Sequence, residues 1–163
     1  MPGGDRRRSW WGWGWEDEAL DRAQIAKLAG ALSERFGLAD LPVADPPDLD
    51  DLALREPRIS PPASLSSSCS QAVYDRAGHT YGKSYRDVVR GLRGDLPHPP
   101  DVVAFPRSED EVVELLDWCA SNGIAAIPYG GGSSVVGGVE CDVGDGYSGV
   151  VSIDLGQIGR AHV

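Results

Sequence analysis

Residues 99–135 read PPDVVAFPRSEDEVVELLDWCASNGIAAIPYGGGSSV. Val102-Val103-Ala104-Phe105 is a short apolar run stopped by Pro106, which reads as a strand. Ser108-Glu109-Asp110-Glu111 has the spacing of a capping box: Ser108 accepts the Glu111 N–H and Glu111 reaches back. Val112, Leu115, Leu116 and Cys119 then share one helical face, and Asn122-Gly123 closes the helix. Ile124 to Ile127 is a second strand, and Val150 to Ile153 a third. Strand, helix and strand in this order predict a β-α-β unit with a right-handed crossover.

The stretch PYGGGSSV that follows is the informative loop. Pro128 stiffens its entry, and Gly130, Gly131 and Gly132 remove three side chains in a row. A backbone without side chains lets N–H groups approach an anion closely. Ser133 and Ser134 add hydroxyls. The competing reading is a hairpin or flexible loop. Val135 and Val136 weigh against a free linker, because linkers are polar.

Two other glycine patterns compete. Gly144, Gly146 and Gly149 spell G-x-G-x-x-G, but they precede a strand and open no helix, so a dinucleotide fingerprint is not expected. Residues 77–84, AGHTYGKS, approach a P-loop ending in Lys83 and Ser84, with Asp154 imitating a Walker B acid, which gives a nucleotide hydrolase as a competing function. Ala77 replaces its first glycine, and Gln71 to Arg76 make a poor buried strand to aim it.

Upstream the chain changes character. Trp10-Trp11-Gly12-Trp13-Gly14-Trp15 holds four of the five tryptophans. Such rings need burial, against the same fold or, in a third class of reading, against a partner protein. Arg6, Arg7 and Arg8 read as a solvated terminus. Glu16, Asp17 and Glu18 open a helix with Leu20, Ile25, Leu28, Leu32 and Phe36, ended by Gly37. Six prolines between residues 42 and 62 exclude a long helix, so residues 40–70 read as a surface connector. Residues 84–93 predict a short helix. His79 and His98 have loop-like settings and receive no catalytic role.

The chain has 163 residues and a formal net charge of -10, which argues against general nucleic-acid binding. Cys69, Cys119 and Cys141 lack C-x-x-C spacing, so neither a zinc ribbon nor a thioredoxin-type site is expected, and no metal site is assigned. The low, odd count fits a reducing cytosol. No run reaches the roughly 20 apolar residues of a membrane span. A cytoplasmic location is expected.

Taken together, residues 99–119, 123–140 and 150–155 resemble the flavin-binding domain of vanillyl-alcohol oxidase-type enzymes, and most closely the alkyldihydroxyacetonephosphate synthases. That family shows P-D-x-V-x-x-P, a helix, then P-x-G-G-G-T-S-V; Ser133 stands where threonine is usual. GKSYRDVVRGLRG (82–94) and the WWGWG start are similar to the synthases too. The resemblance implies an α+β fold, the N-terminal part of a PCMH-type FAD-binding domain. It implies FAD as cofactor, its pyrophosphate held by Pro128, Tyr129, Gly130, Gly131, Gly132, Ser133 and Ser134. The implied reaction exchanges the acyl chain of an acyl dihydroxyacetone phosphate for a fatty alcohol, without net redox change. A related activity is FAD-linked oxidation of 2-hydroxy acids such as lactate or glycolate. The resemblance also admits a homodimer and a membrane-associated location.

The expected organisation is a helical, Pro/Ser-rich extension over residues 1–94, a partial FAD-binding domain over 95–157, and a non-native tail over 158–163. His162 then carries no weight. The family's catalytic residues fall outside this sequence, so none is assigned. The chain alone is expected to hold FAD weakly or not at all and to be inactive by itself.

Overall fold

The computed structural model describes residues 6–39 and 41–158. Asp40 and residues 159–163, where most of the expected non-native tail falls, lie outside them, as do residues 1–5.

A four-stranded sheet organises the C-terminal half, in the order β1-β2-β4-β3. The strands are β1 (Cys69–Ser70), β2 (Val102–Ala104), β3 (Ile124–Tyr129) and β4 (Gly149–Asp154). β2, β4 and β3 run parallel; β1 is antiparallel at one edge. Both predicted strands and the third are present. The third inserts between the first two, so the β-α-β unit straddles β4.

The connecting helix α4 (Glu109–Asn122) starts where the cap predicts: the Ser108 hydroxyl accepts the Glu111 N–H at 3.2 Å. The return bond is shifted by one residue, because Glu111 Oε2 accepts from the Arg107 N–H and not from Ser108. Gly123 closes the helix in the left-handed region at φ 61°. Leu115 and Cys119 pack into a core with Val102, Ala104, Val151 and Ile153. Each such aliphatic burial contributes roughly 1.5–3 kcal/mol. Leu116, expected on the same face, is exposed: α4 covers the sheet with a narrower stripe than the heptad spacing suggests.

Asp101, just before β2, is fully buried. Its carboxylate accepts the N–H of Arg58 and of Val150, both at 2.8 Å, and pairs with the Arg55 and Arg58 guanidiniums. Burial alone would raise this carboxyl. The bonds from Arg58, Arg55 and Val150 outweigh it and hold Asp101 well below the usual carboxylate range. Asp101 thereby staples residues 55–58 to the start of β2 and β4.

The connector differs from expectation at its end. Residues 63–68 form a 3-10 turn that drives Leu65 into the sheet core, and Ile59 packs there too. The segment expected as surface thus supplies core side chains. Gln71 to Arg76 is no strand: α2 (Val73–Gly78) occupies it. α3 (Tyr85–Leu92) follows, capped reciprocally by Ser84 and Asp87.

α1 (Arg22–Phe36) also departs from its forecast. Glu16 to Glu18 form a separate 3-10 turn, and the helix starts later, in a capping box of Asp21 and Gln24. Its end at Gly37 is as read. No α1 residue is buried; Leu28, Leu32 and Phe36 face outward. Among the described residues, no helix is long and apolar enough to cross a membrane.

Candidate cofactor cleft

The parallel strands β2, β4 and β3 end side by side. Their C-terminal ends, at Phe105, Asp154 and Tyr129-Gly130, open into a cleft of about 650 Å³. Ligands of parallel sheets bind outside these strand ends, and the volume falls in the usual range for cofactor sites.

The glycine loop forms one rim. Gly130 and Gly131 line the cleft, and a Cβ placed on either would meet nothing within 4 Å. Among the described residues, no acceptor takes the N–H of Gly131, Gly132, Ser133 or Ser134. Of these four residues Gly131 lines the cleft, and an open N–H there suits a phosphate oxygen. Gly132 has a different task. It adopts φ 72°, its would-be Cβ lies 2.5 Å from the Tyr129 hydroxyl, and its carbonyl accepts the Lys83 N–H at 2.6 Å. Gly132 locks the loop onto the 81–83 segment.

Of the seven residues read from sequence, Tyr129, Gly130 and Gly131 reach the cleft. Pro128 lies inside β3, exposed on the sheet's edge strand, where its missing N–H costs no ladder bond. Ser133 is exposed beyond the rim, and the Ser134 hydroxyl accepts the Gly138 N–H at 3.0 Å.

The opposite wall comes from the chain's start. Residues 7–16 fold into a hairpin arm: Arg8 pairs antiparallel with Trp15, Ser9 N–H donates to Gly14 O at 3.0 Å, and Gly14 takes φ 80°. Trp10 is buried against Ala77, Tyr81 and Leu96. Gly91 makes room for Trp11, whose carbonyl would lie 3.1 Å from a Cβ there. The Tyr74 hydroxyl donates to Arg8 O, and the Lys83 ammonium donates to Trp10 O at 2.8 Å. The expected burial of tryptophan against the same fold holds for Trp10, while Trp13 stays exposed. Arg6, Arg7 and Arg8 are exposed, as read, and they also line the cleft and stack on aromatic rings.

His79 sits at the cleft floor. Its Nδ1 is 2.8 Å from Asp75 O and its Nε2 3.2 Å from Asp154 Oδ2. The ring packs on Tyr129 at 4.5 Å and edge-on to Phe105 at 5.8 Å. Sequence reasoning passed over His79, because Asp154 lies 75 residues away and no local signal links them. The P-loop reading fails on geometry. The segment before Gly78 is helical, Lys83 turns to the arm, and Ser84 caps α3. The G-x-G-x-x-G stretch leads into β4, with Gly149 against Ile59, as its position before a strand implied. Burial pushes the Cys119 and Cys141 thiols up to about 11 and about 12, which favours their neutral form.

The comparisons agree with this geometry. Residues 100–162 match the family described as FAD binding domain. An alkyldihydroxyacetonephosphate synthase of Trypanosoma brucei brucei is 38% identical over 88 residues, covering 54% of this chain and 14% of that protein. A mitochondrial D-lactate dehydrogenase [cytochrome] of Arabidopsis thaliana is 50% identical over 38 residues, covering 23% of this chain and 7% of that protein. A solved alkyldihydroxyacetonephosphate synthase superposes with a TM-score of 0.73 at 22% identity, over 96% of this chain and 34% of that one. The chain therefore spans only a minor share of each relative's length. Its fold is that of a PCMH-type FAD-binding domain fragment, and the match over residues 100–162 supports FAD as the cofactor.

Proposed function

We propose that this chain serves an alkyldihydroxyacetonephosphate synthase, an enzyme that exchanges the acyl chain of an acyl dihydroxyacetone phosphate for a fatty alcohol. The observation that carries the reading is a cleft at the ends of three parallel strands, rimmed by Gly130 and Gly131 of the glycine loop and walled by a cationic and aromatic arm. The arm belongs to the reading as well. The resemblance to the synthases extends to the WWGWG segment, and the synthase fold overlays 96% of the chain. FAD supplies the chemistry when bound; the residues described bind and orient it. Pro128 to Ser134 form the pyrophosphate loop in this reading, with Tyr129, Gly130 and Gly131 nearest the ligand. A cytoplasmic location follows, with the lipid substrate taken from a membrane surface.

The second reading is FAD-linked dehydrogenation of a 2-hydroxy acid, favoured by the D-lactate dehydrogenase match over 38 residues. The gene product that carries this chain separates the two. It is given acyl dihydroxyacetone phosphate and a fatty alcohol, while flavin absorbance is followed. Fatty-acid release with ether formation and no net flavin reduction is expected. Bleaching by lactate or glycolate, with no exchange, would refute the synthase reading.

A further inference from the structure

Lys83 ties the glycine loop to the arm. Its backbone N–H donates to Gly132 O at 2.6 Å, and its Cγ would lie 3.2 Å from a Cβ on Gly132. Its ammonium crosses to Trp10 O on the arm and lines the cleft. An ammonium has three donors, and one is used. Among the described residues no carboxylate lies within ion-pair distance of it. Burial pulls the group down to about 8, with Asp87 opposing, so its charge is held at a desolvation cost. A half-buried cation with free donors, beside open glycine N–H groups, is completed by an anion. Arg8, stacked on Trp15 at 4.2 Å, adds a second positive charge on the same cleft.

We propose that Lys83, reinforced by Arg8, is a phosphate-binding residue of the cofactor cleft, meeting the diphosphate that the Gly130–Gly131 backbone cradles. The lysine that the sequence offered to a P-loop thus serves a diphosphate through a different loop, supplied some fifty residues further along the chain. This inference rests on the FAD reading of the glycine loop.

The test uses the gene product that carries this chain, stripped of flavin and titrated with FAD and with riboflavin, which lacks phosphate. A charge-assisted hydrogen bond implies that Lys83→Met weakens FAD about tenfold. Riboflavin affinity stays within about twofold, and Lys83→Arg recovers most of the FAD loss. Arg8→Gln shows the same selectivity with a smaller effect, about threefold for a more exposed charge. Equal loss for both ligands, or loss for neither, overturns the role of Lys83. Gly131→Val is the control for the underlying reading. If it weakens FAD while Lys83→Met does not, only this inference fails; if it leaves FAD unchanged, the loop reading fails too. Should Lys83→Met unfold, acetylation of Lys83 in the unaltered protein decides: slowing by inorganic pyrophosphate is expected, and an unchanged rate overturns the proposal.

Discussion

The two walls of the cleft are built in opposite ways. The sheet wall is a ladder: β2, β4 and β3 are held by parallel pairing, packed by α4, and stapled by Asp101. The arm wall has one isolated bridge and hangs on its side chains. Trp10 inserts beside Gly78, Trp11 sits over Gly91, and Tyr74 and Lys83 hold its carbonyls. A wall made of ladder is stable without its ligand. A wall made of a few contacts is the part whose order depends on what it touches.

The largest effect is expected at the staple. Asp101→Asn leaves Arg55 and Arg58 facing an uncharged amide and costs roughly 3 kcal/mol in denaturant unfolding. The sign with pH follows from the lowered carboxyl. The ionised pair contributes its full stability above the unfolded aspartate range near pH 4. That stability is lost as pH falls toward the still lower folded value. Acid sensitivity that is identical in the variant would break the idea of a charged staple.

Trp10→Ala removes the arm's anchor. It is expected to cost somewhat less than the staple, about 2–3 kcal/mol, since the arm detaches and partly relaxes. Limited proteolysis should then cut near Trp13 and Gly14 before the sheet opens. Simultaneous loss of sheet and arm would show that the walls are one unit. Gly132→Ala is smaller again, roughly 1–2 kcal/mol, from a left-handed backbone and contact with the Tyr129 hydroxyl. Leu32→Ala on exposed α1 should stay within about 0.5 kcal/mol. A larger loss there would mean that this face is covered in the protein.

The same contrast explains what the sequence made legible. α4 could be read because Ser108, Gly123 and the Leu115–Cys119 spacing all act within one helix. The place of the glycine loop was readable because it directly follows an apolar strand, at the end where the cleft lies. The arm was not, because its partners Gly78, Gly91, Tyr74 and Lys83 lie more than 60 residues away. The His79–Asp154 pair was invisible for the same reason. α1 shows the converse: its cap and stop were legible, but an apolar stripe does not say whether anything covers it. Pro128 was read as the loop's entry, yet an edge strand accommodates it without a break.

In the proposed reading the glycine loop and the arm form one cleft around FAD. Hydrogen–deuterium exchange of the gene product that carries this chain, with and without FAD, tests it most directly. Slowed exchange on FAD binding is expected in both peptides, the one covering Gly130 to Ser134 and the one covering Arg8 to Trp15. FAD binding that leaves residues 130–134 exchanging at their unliganded rate would contradict the account.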